Sequence, residues 1–420
     1  MALNYLFIAF FILSFILCCF KALMGDLEIF SHAMENSFDM AKTGFELSIG
    51  LTGIMTLWLG LMRIGEKGGV VNQLSKMISP LFSKLLPDVP KDHPATGAMM
   101  MNFAANMLGL DNAATPLGLK AMDHLQELNP KKDTASNAQI MFLVLNTSGL
   151  TLIPISIMMY RAELGASNPT DVFIPILLST FCSTVAGLLV TSFVQKLQLW
   201  KHKVVWMYLG GASLLISLSL YFFTHLSAEK ASIYPSLIGN FILFGIIVWF
   251  ISMAWIKKVA VYEEFIIGAK EGFHVAIKII PYLVGILVAI GLFRTAGGIE
   301  LLSDATRWVV SHFDIRSEWV DALPTAYMKP LSGGGARAMM LETIHHQIEL
   351  AGGDKTLGTD SLVSRMVSTL QGSTETTFYV LAVYFGSVGI KNTRHALSCG
   401  LIADFVGILA AIIFSYMFFG

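Results

Sequence analysis

Nine stretches of the chain are apolar over a length that can cross a lipid bilayer. A transmembrane helix needs about 20 predominantly apolar residues, and each stretch meets or approaches that length. Their ranges are 2–20, 43–64, 139–160, 172–195, 204–224, 234–256, 275–293, 362–386 and 395–419. We therefore predict an all-α polytopic membrane protein with about nine full spans, in contact with the lipid bilayer.

Charged residues are too scarce for a water-soluble domain. They make up 14% of the chain, whereas soluble domains carry about 25%. The formal net charge of −1 gives no electrostatic reason to expect a nucleic-acid partner. No paired cysteine spacing, Cys–His pair or nucleophile elbow occurs in a structured context. We therefore expect no enzyme activity, no metal and no cofactor.

Two further segments, 95–122 and 322–348, are only partly apolar and are rich in Gly, Pro, Asn and Ser. Irregular backbone is tolerated at membrane depth only where protein or a water-filled cavity covers it. We predict that each segment is a re-entrant or broken helix that enters the membrane without fully crossing it.

The distribution of lysine and arginine predicts the orientation, because cytoplasmic loops carry an excess of these residues. Loops 196–203 and 257–274 contain several lysines and are separated by two spans, so both can face the cytoplasm. A re-entrant 95–122 then places loops 67–91 and 123–137 on the cytoplasmic face too. The N-terminus is predicted inside and the C-terminus outside.

The chain repeats itself with a period of about 225 residues, which is the signature of a duplicated unit. Ala41–Phe45 recurs as Ala269–Phe273, and Leu145–Ser148 aligns with Leu370–Ser373. An odd number of predicted spans separates the first pair, so the two repeats are predicted to be inverted. We expect one repeat in residues 1–200 and one in 201–420; the alternative is a duplicated structural bundle that transports nothing.

Asparagines are concentrated in the first partly apolar segment. Asn102 and Asn106 are four residues apart and share one helix face. Residues Gly109–Asn112 can break the helix, and Pro116 suits the first turn of a second helix with Thr115 near its cap. Asn102, Asn106, Asn112 and Thr115 are therefore candidate solute contacts. The alternative is that the asparagines only hydrogen-bond between helices.

Two other spans carry runs of hydrogen-bonding side chains, which are costly in hydrocarbon unless they pair or face a wet cavity. We predict that the two runs lie close together, where one cavity serves both. The candidate solute contacts in these runs are Asn146, Thr147, Ser148, Gln371, Ser373 and Thr374.

Two carboxylates interrupt apolar spans and are candidates for coupling or gating. Glu375 stands near the middle of 362–386, where we expect it to be buried, and Asp404 stands in the last span. An intramembrane carboxylate marks a functional site by default. Structural pairing is the alternative for both, with Arg337 as one partner for Glu375.

Three consecutive glycines follow Ser332 and expose backbone N–H groups suited to a ligand nest or a hairpin tip. Ser332 and Gly333 are therefore candidate solute contacts. Glu and His residues in 342–349 have metal-ligand spacing on a helix, but this single cluster lies in a polar loop region, so we do not predict a metal site there.

Longer motifs resemble two families of spore maturation proteins. Resemblance to spore maturation protein A is carried by Leu57–Arg63, Leu86–Pro94, Asn106–Met122 and Leu145–Ser148. Resemblance to spore maturation protein B is carried by Ile279–Leu283, Lys329–Gly333, Gln371–Tyr379 and Tyr384–Gly389. The chain thus resembles a fusion of A in its first half and B in its second.

Both families belong to the nucleoside-recognition "gate" superfamily, so the resemblance implies paired gate domains in a bacterial inner membrane. It does not supply a substrate. Our hypothesis is a transporter or channel for a small polar solute, with nucleoside-like solutes as one class, and with a coupling cation and a homo-oligomer left open. The alternative is a membrane scaffold that does not transport and that affects envelope or spore physiology through protein partners.

Overall fold

The computed structural model describes residues 2–90, 92–109, 111–224, 228–310, 312 and 316–420, which are predominantly helical. Within these ranges the strand-like pairing is limited to one isolated bridge between Thr134 and Asn392. The prediction of an all-α fold is confirmed.

The first part of the chain forms helices in this order: α1 Ala2–Leu23, α2 Ile29–Gly68, α3 Val70–Leu85, α4 Pro94–Met107, α5 Asp111–Leu128, α6 Asn137–Thr147, α7 Ile155–Glu163, α8 Phe173–Val194, α9 Lys203–Thr224 and α10 Ala228–Ile256. The remainder forms α11 Val261–Thr295, α12 Gly298–Val310, α13 Leu323–Leu331, α14 Gly333–Leu350, α15 Lys355–Thr359, α16 Leu362–Gly372, α17 Thr377–Ser387 and α18 Ala396–Phe419.

The order of these helices occurs twice. A long helix, a shorter helix, a two-helix hairpin, an interrupted helix and another long helix follow one another in α2–α8. The same order recurs in α11–α18, with the short α15 added after the hairpin. The duplication that the sequence motifs indicate is therefore present in the secondary structure.

Within the described residues, five helical segments are long and apolar enough to cross a bilayer, by length and composition. They are Ile29–Gly68, Phe173–Val194, Leu237–Ile256, Val261–Thr295 and Ala396–Phe419. The chain is therefore a multi-pass membrane protein, and its helices contact the lipid bilayer.

Two stretches that the sequence analysis treats as continuous spans, 139–160 and 362–386, are interrupted near their middle. The first breaks between Thr147 and Ile155, where Gly149 has a positive φ of 54° and Pro154 precedes the new helix. The second breaks between Gly372 and Thr377. Apolar length alone did not reveal these interruptions, because it describes a whole stretch and does not show where the helix breaks within it.

The hairpin α4–α5 confirms that 95–122 is a broken helix, and its entry into the membrane without crossing stays a prediction. Gly109 adopts a φ of 70° in the tight turn between the helices, a conformation that glycine tolerates. The chain folds back so that the end of α5 lies beside the start of α4, since His93 Nε2 is 3.9 Å from Glu127 Oε2. Helix α5 begins at Asp111, so Pro116 is inside the helix and Thr115 is not near its cap, contrary to our prediction. Helix α4 ends at Met107, close to the predicted break, but α5 already begins five residues before Pro116.

The chain divides into two compact units, and each takes segments from both halves of the sequence. Unit 1 comprises 1–60, 156–169 and 266–371, and unit 2 comprises 61–155, 170–265 and 372–420. Each unit therefore contains one half of each interrupted helix: α16 and α7 in unit 1, α6 and α17 in unit 2. The repeat boundary at residues 200 and 201 stays a prediction.

Candidate functional site

In unit 2, the ends of two interrupted helices meet. Helix α6 ends at Thr147, and the backbone oxygen of Thr147 accepts a hydrogen bond from the backbone N–H of Glu375 at 2.8 Å. Glu375 lies in the non-helical segment before α17. A carbonyl at the end of a helix has no intrahelical partner. The N–H of Glu375, in the break between α16 and α17, therefore supplies the donor that the Thr147 carbonyl at the end of α6 lacks.

Gly149 allows this approach. A Cβ atom at this position would lie 2.8 Å from Cγ and 3.1 Å from the backbone N of Glu375. Its φ of 54° is also one that other L residues rarely adopt. These contacts confirm that the Asn146 run and the part of the Gln371 run in unit 2 lie close together.

A buried hydrogen-bond network lies behind the breaks and connects α4, α6 and α17. Asn106 Nδ2 donates to Asn146 Oδ1 at 2.6 Å, and the Tyr384 hydroxyl donates to the same oxygen at 3.4 Å. Asn102 Nδ2 donates to the Tyr384 hydroxyl at 3.1 Å and to the backbone oxygen of Ala114 at 2.8 Å. Three separate helices are thus joined through side chains that the chain places up to 282 residues apart.

One buried acceptor of this network, Asn102 Oδ1, has no hydrogen-bond partner within the described residues. Asn146 uses its amide group on the backbone oxygen of Phe142 at 2.8 Å. Asn102 is fully buried, and its Oδ1 has no hydrogen-bond partner within the described residues. An unsatisfied buried acceptor costs about 1–3 kcal/mol. Simple interhelical pairing therefore accounts for Asn146 and Asn106 but not for all of Asn102.

Glu375 is exposed at the break, whereas the sequence analysis expected it to be buried in mid-helix. The helix is interrupted from Ser373 to Thr376, and the backbone turns the carboxylate outward while Ser373 and Thr374 are buried. A carboxylate in lipid costs about 2.5–3.5 kcal/mol on insertion scales. At this position it is consistent with a wet surface beside the two helix ends.

Asp404 holds α17 onto α18. It is buried, and its Oδ2 accepts a hydrogen bond from the Thr377 hydroxyl at 2.6 Å. Thr377 is the first residue of α17. This contact fits the structural pairing that we weighed for Asp404, and its role in coupling or gating stays a prediction.

The remaining candidates of unit 2 differ in their surroundings. The Thr147 and Ser148 hydroxyls donate to the backbone oxygens of Val144 and Leu145, at 3.0 and 3.1 Å. Both are therefore satisfied within their own helix. Thr115 is half-buried on α5, and the side chain of Asn112 lies outside the described residues.

Unit 1 holds the other three candidates around the start of α14. The Ser332 hydroxyl caps this helix by accepting from the Gly335 N–H at 3.1 Å. Gln371 Nε2 lies 3.4 Å from the Gly333 oxygen, and Gln371 Oε1 has no partner within the described residues. The structure therefore brings Ser332, Gly333 and Gln371 together.

In unit 1, Glu342 and Arg337, two charged residues weighed in the sequence analysis, contact other side chains. Glu342 and Arg294 are paired, with Arg294 Nη2 donating to Glu342 Oε2 at 2.6 Å. No group of three or more metal-ligating side chains occurs in the described part of the chain. The Arg337 guanidinium lies 5.7 Å from the centre of the Tyr160 ring, a cation–π distance.

Sequence reasoning did not single out Tyr384 or Arg161. Tyr384 completes the asparagine network and stacks on Phe142, with ring centres 5.8 Å apart. The repeat gave no signal for it, because the position 225 residues earlier is Met159. Arg161 is fully buried, and its Nη2 donates to Asp360 Oδ1 at 3.0 Å. Nothing local in the sequence connects these two residues.

Comparison with known proteins follows the same two halves. The family model "Gate: Nucleoside recognition" matches residues 48–167 and 276–391. The chain is 42% identical over 159 residues to "Spore maturation protein A" of Bacillus subtilis (strain 168), which covers 38% of this chain and 81% of that protein. It is 41% identical over 186 residues to "Spore maturation protein B" of the same organism, which covers 44% of this chain and 92% of that protein.

The two matched segments together exceed half of the chain. The similarity to an A protein and a B protein fits the fusion that the motifs indicate. The chain therefore belongs to the nucleoside recognition (Gate) family and carries the Gate domain twice.

Proposed function

We propose that the chain is a transporter or channel for a small polar solute in a bacterial inner membrane. The carrying observation is the meeting of the two interrupted helices at Thr147 and Glu375. Discontinuous helices in paired repeats form the solute and ion sites of many transporters. The description of the matching family, nucleoside recognition, supports a solute of nucleoside type.

The residues of unit 2 divide into two proposed roles. Glu375 is exposed beside the helix ends and would contact a solute or a coupling cation directly. Asn102, Asn106 and Asn146 are mostly or fully buried and would position the break through the Tyr384 hydroxyl. The role that we propose for Glu375 is coupling or gating, because this carboxylate is exposed where the two helix breaks meet.

The alternative is a membrane scaffold with no solute, in which the same network only rigidifies the helices. A scaffold needs interhelical hydrogen bonds but has no use for an exposed carboxylate at a helix break. The two hypotheses therefore differ in what happens when only the charge of Glu375 is removed.

Solute binding and uptake test the proposal. Purified protein is screened by thermal shift against nucleosides, nucleobases and amino acids, since a bound solute raises the unfolding temperature. Uptake of any stabilising solute is then measured in proteoliposomes for wild type, Glu375→Gln and the control Glu46→Gln, whose side chain is 63% exposed on α2.

We expect Glu375→Gln to insert and fold normally but to lose uptake or its pH dependence, while Glu46→Gln transports like wild type. A protein that binds none of these solutes supports the scaffold. A Glu375→Gln variant that unfolds while transport per folded molecule is unchanged shows that the carboxylate is structural.

A further inference from the structure

A cavity in unit 2 is lined by none of the candidate residues discussed above. Its volume is about 630 Å³, within the range of about 300–1,000 Å³ that is usual for small-molecule sites. It lies between the loop after α3, the end of α5, the start of α6 and the turn before α18. Leu125 and Ala138 contribute apolar walls, and Asp88, Lys131 and Arg394 are its charged residues.

The start of α6 presents free backbone donors to this cavity. Ser136 and Gln139 form a capping box, in which the Ser136 hydroxyl accepts from the Gln139 N–H and the Gln139 side chain accepts from the Ser136 N–H. The next two N–H groups, of Asn137 and Ala138, line the cavity and have no acceptor within the described residues. Such groups, with the positive end of the helix dipole, favour an anion.

Arg394 adds a fixed positive charge at the same place. Its Nη1 donates to the Ala135 oxygen at 3.0 Å, which holds the guanidinium at the cavity wall. Its backbone adopts a φ of 50°, which is uncommon for residues other than glycine. A guanidinium has five N–H donors, so the bond to Ala135 leaves most of them for a ligand.

Asn137 and Asp88 bring hydrogen-bond acceptors to the cavity, and these require a donor on the ligand. Asn137 Oδ1 is buried and has no hydrogen-bond partner within the described residues, and Asp88 adds a carboxylate to the lining. A bare inorganic anion would give Asn137 Oδ1 no donor and would lie beside the exposed Asp88 carboxylate. A ligand that carries an anionic group together with a hydroxyl or amine group matches both halves of the lining.

We propose that this cavity binds a phosphate group carried on a molecule with a neighbouring hydroxyl or amine. The phosphate faces Arg394, Lys131 and the free N–H groups of α6, since a guanidinium and several N–H donors match the oxygens of a phosphate. The hydroxyl or amine faces Asn137 and Asp88. A phospholipid headgroup and a free phosphomonoester share this chemistry.

The full-length protein in detergent serves for the test, with glycerol 3-phosphate as the soluble probe. Thermal unfolding is followed as the probe is titrated into wild type, Arg394→Gln, Lys131→Gln and the control Lys391→Gln. Lys391 is exposed in the same turn as Arg394 but does not line the cavity. A parallel set in nanodiscs compares phosphatidylglycerol with phosphatidylcholine.

For a free phosphomonoester, we expect glycerol 3-phosphate to stabilise wild type and Lys391→Gln, with binding at least about tenfold weaker in Arg394→Gln. For a lipid headgroup, stabilisation by phosphatidylglycerol shows the same dependence on the variants and the soluble probe has no effect. Lys131→Gln keeps the test valid if Arg394→Gln does not fold, because no described hydrogen bond uses its side-chain nitrogen. Equal responses of Lys131→Gln and Lys391→Gln to both probes, or no response at all in wild type, would overturn the proposal.

Discussion

Gly149→Ala separates the contact between the two helix breaks from the ordinary cost of losing a glycine. The new methyl group would lie 2.8 Å from Cγ and 3.1 Å from the backbone N of Glu375. The side chain can move, but the backbone N is held at 2.8 Å from the Thr147 oxygen. The methyl group must therefore push the two breaks apart.

Two terms contribute to the expected loss of stability. A left-handed conformation costs a residue other than glycine about 1–2 kcal/mol, and overpacking adds about 1–3 kcal/mol. Gly389 provides a matched control, because its φ is 72° and a Cβ atom there meets nothing within 4 Å. Gly389→Ala therefore measures the first term alone.

Free energies of unfolding are measured by SDS titration of both variants in mixed micelles, and solute binding is measured on the folded fraction. We expect Gly149→Ala to be the less stable of the two by about 1–3 kcal/mol and to bind solute more weakly. Equal stability of the two variants, within about 0.5 kcal/mol, would refute the close packing of the breaks.

Three further results are expected. Tyr384→Phe removes a hydroxyl that bonds to two asparagines, and it should lower the free energy of unfolding in the SDS titration by about 0.6–1.7 kcal/mol. Tyr379, on the same helix, is 59% exposed, so Tyr379→Phe should cause no measurable loss. Equal effects of the two variants would contradict the network. Burial lowers the pKa of His395 below the ordinary histidine value of about 6.5, so the unfolded state binds more protons below about pH 6.5 and stability falls as the pH is lowered through that window; a His395→Gln variant with the same pH slope as wild type argues against this. Asp360→Ala leaves Arg161 buried without its carboxylate and should cost about 3 kcal/mol or more; adding Arg161→Met should restore part of the loss, and strictly additive losses would show that the pair does not interact.

The class of fold and the duplication followed from the sequence because their signals are long. Apolar stretches of bilayer length and motif matches in a constant order remain recognisable in the sequence even where the helices are locally irregular. The observed order of helices confirms the all-α fold and the duplication. The break of 95–122 into two helices was also recognisable, since Gly109 and the polar residues beside it stand out in an apolar chain.

The interrupted helices and the ion pairs could not be predicted in the same way. Gly149 and Pro154 are compatible with a kinked but continuous span, and only contact with Glu375 shows that the helix ends there. The burial of Arg161 depends on Asp360, which is 199 residues away. Periodicity reports on local faces of a helix, so it carries no information on such pairs.

The pairing of Arg161 with Asp360 also has a consequence for biogenesis. Arg161 is synthesised long before its partner, which follows 199 residues later. During translation the guanidinium must therefore remain hydrated or held by the insertion machinery until the second half of the chain emerges. Tyr384 likewise reaches Asn146 only after 238 further residues have been made. The first half is thus synthesised before Arg161 and Asn146 can reach their partners in the second half.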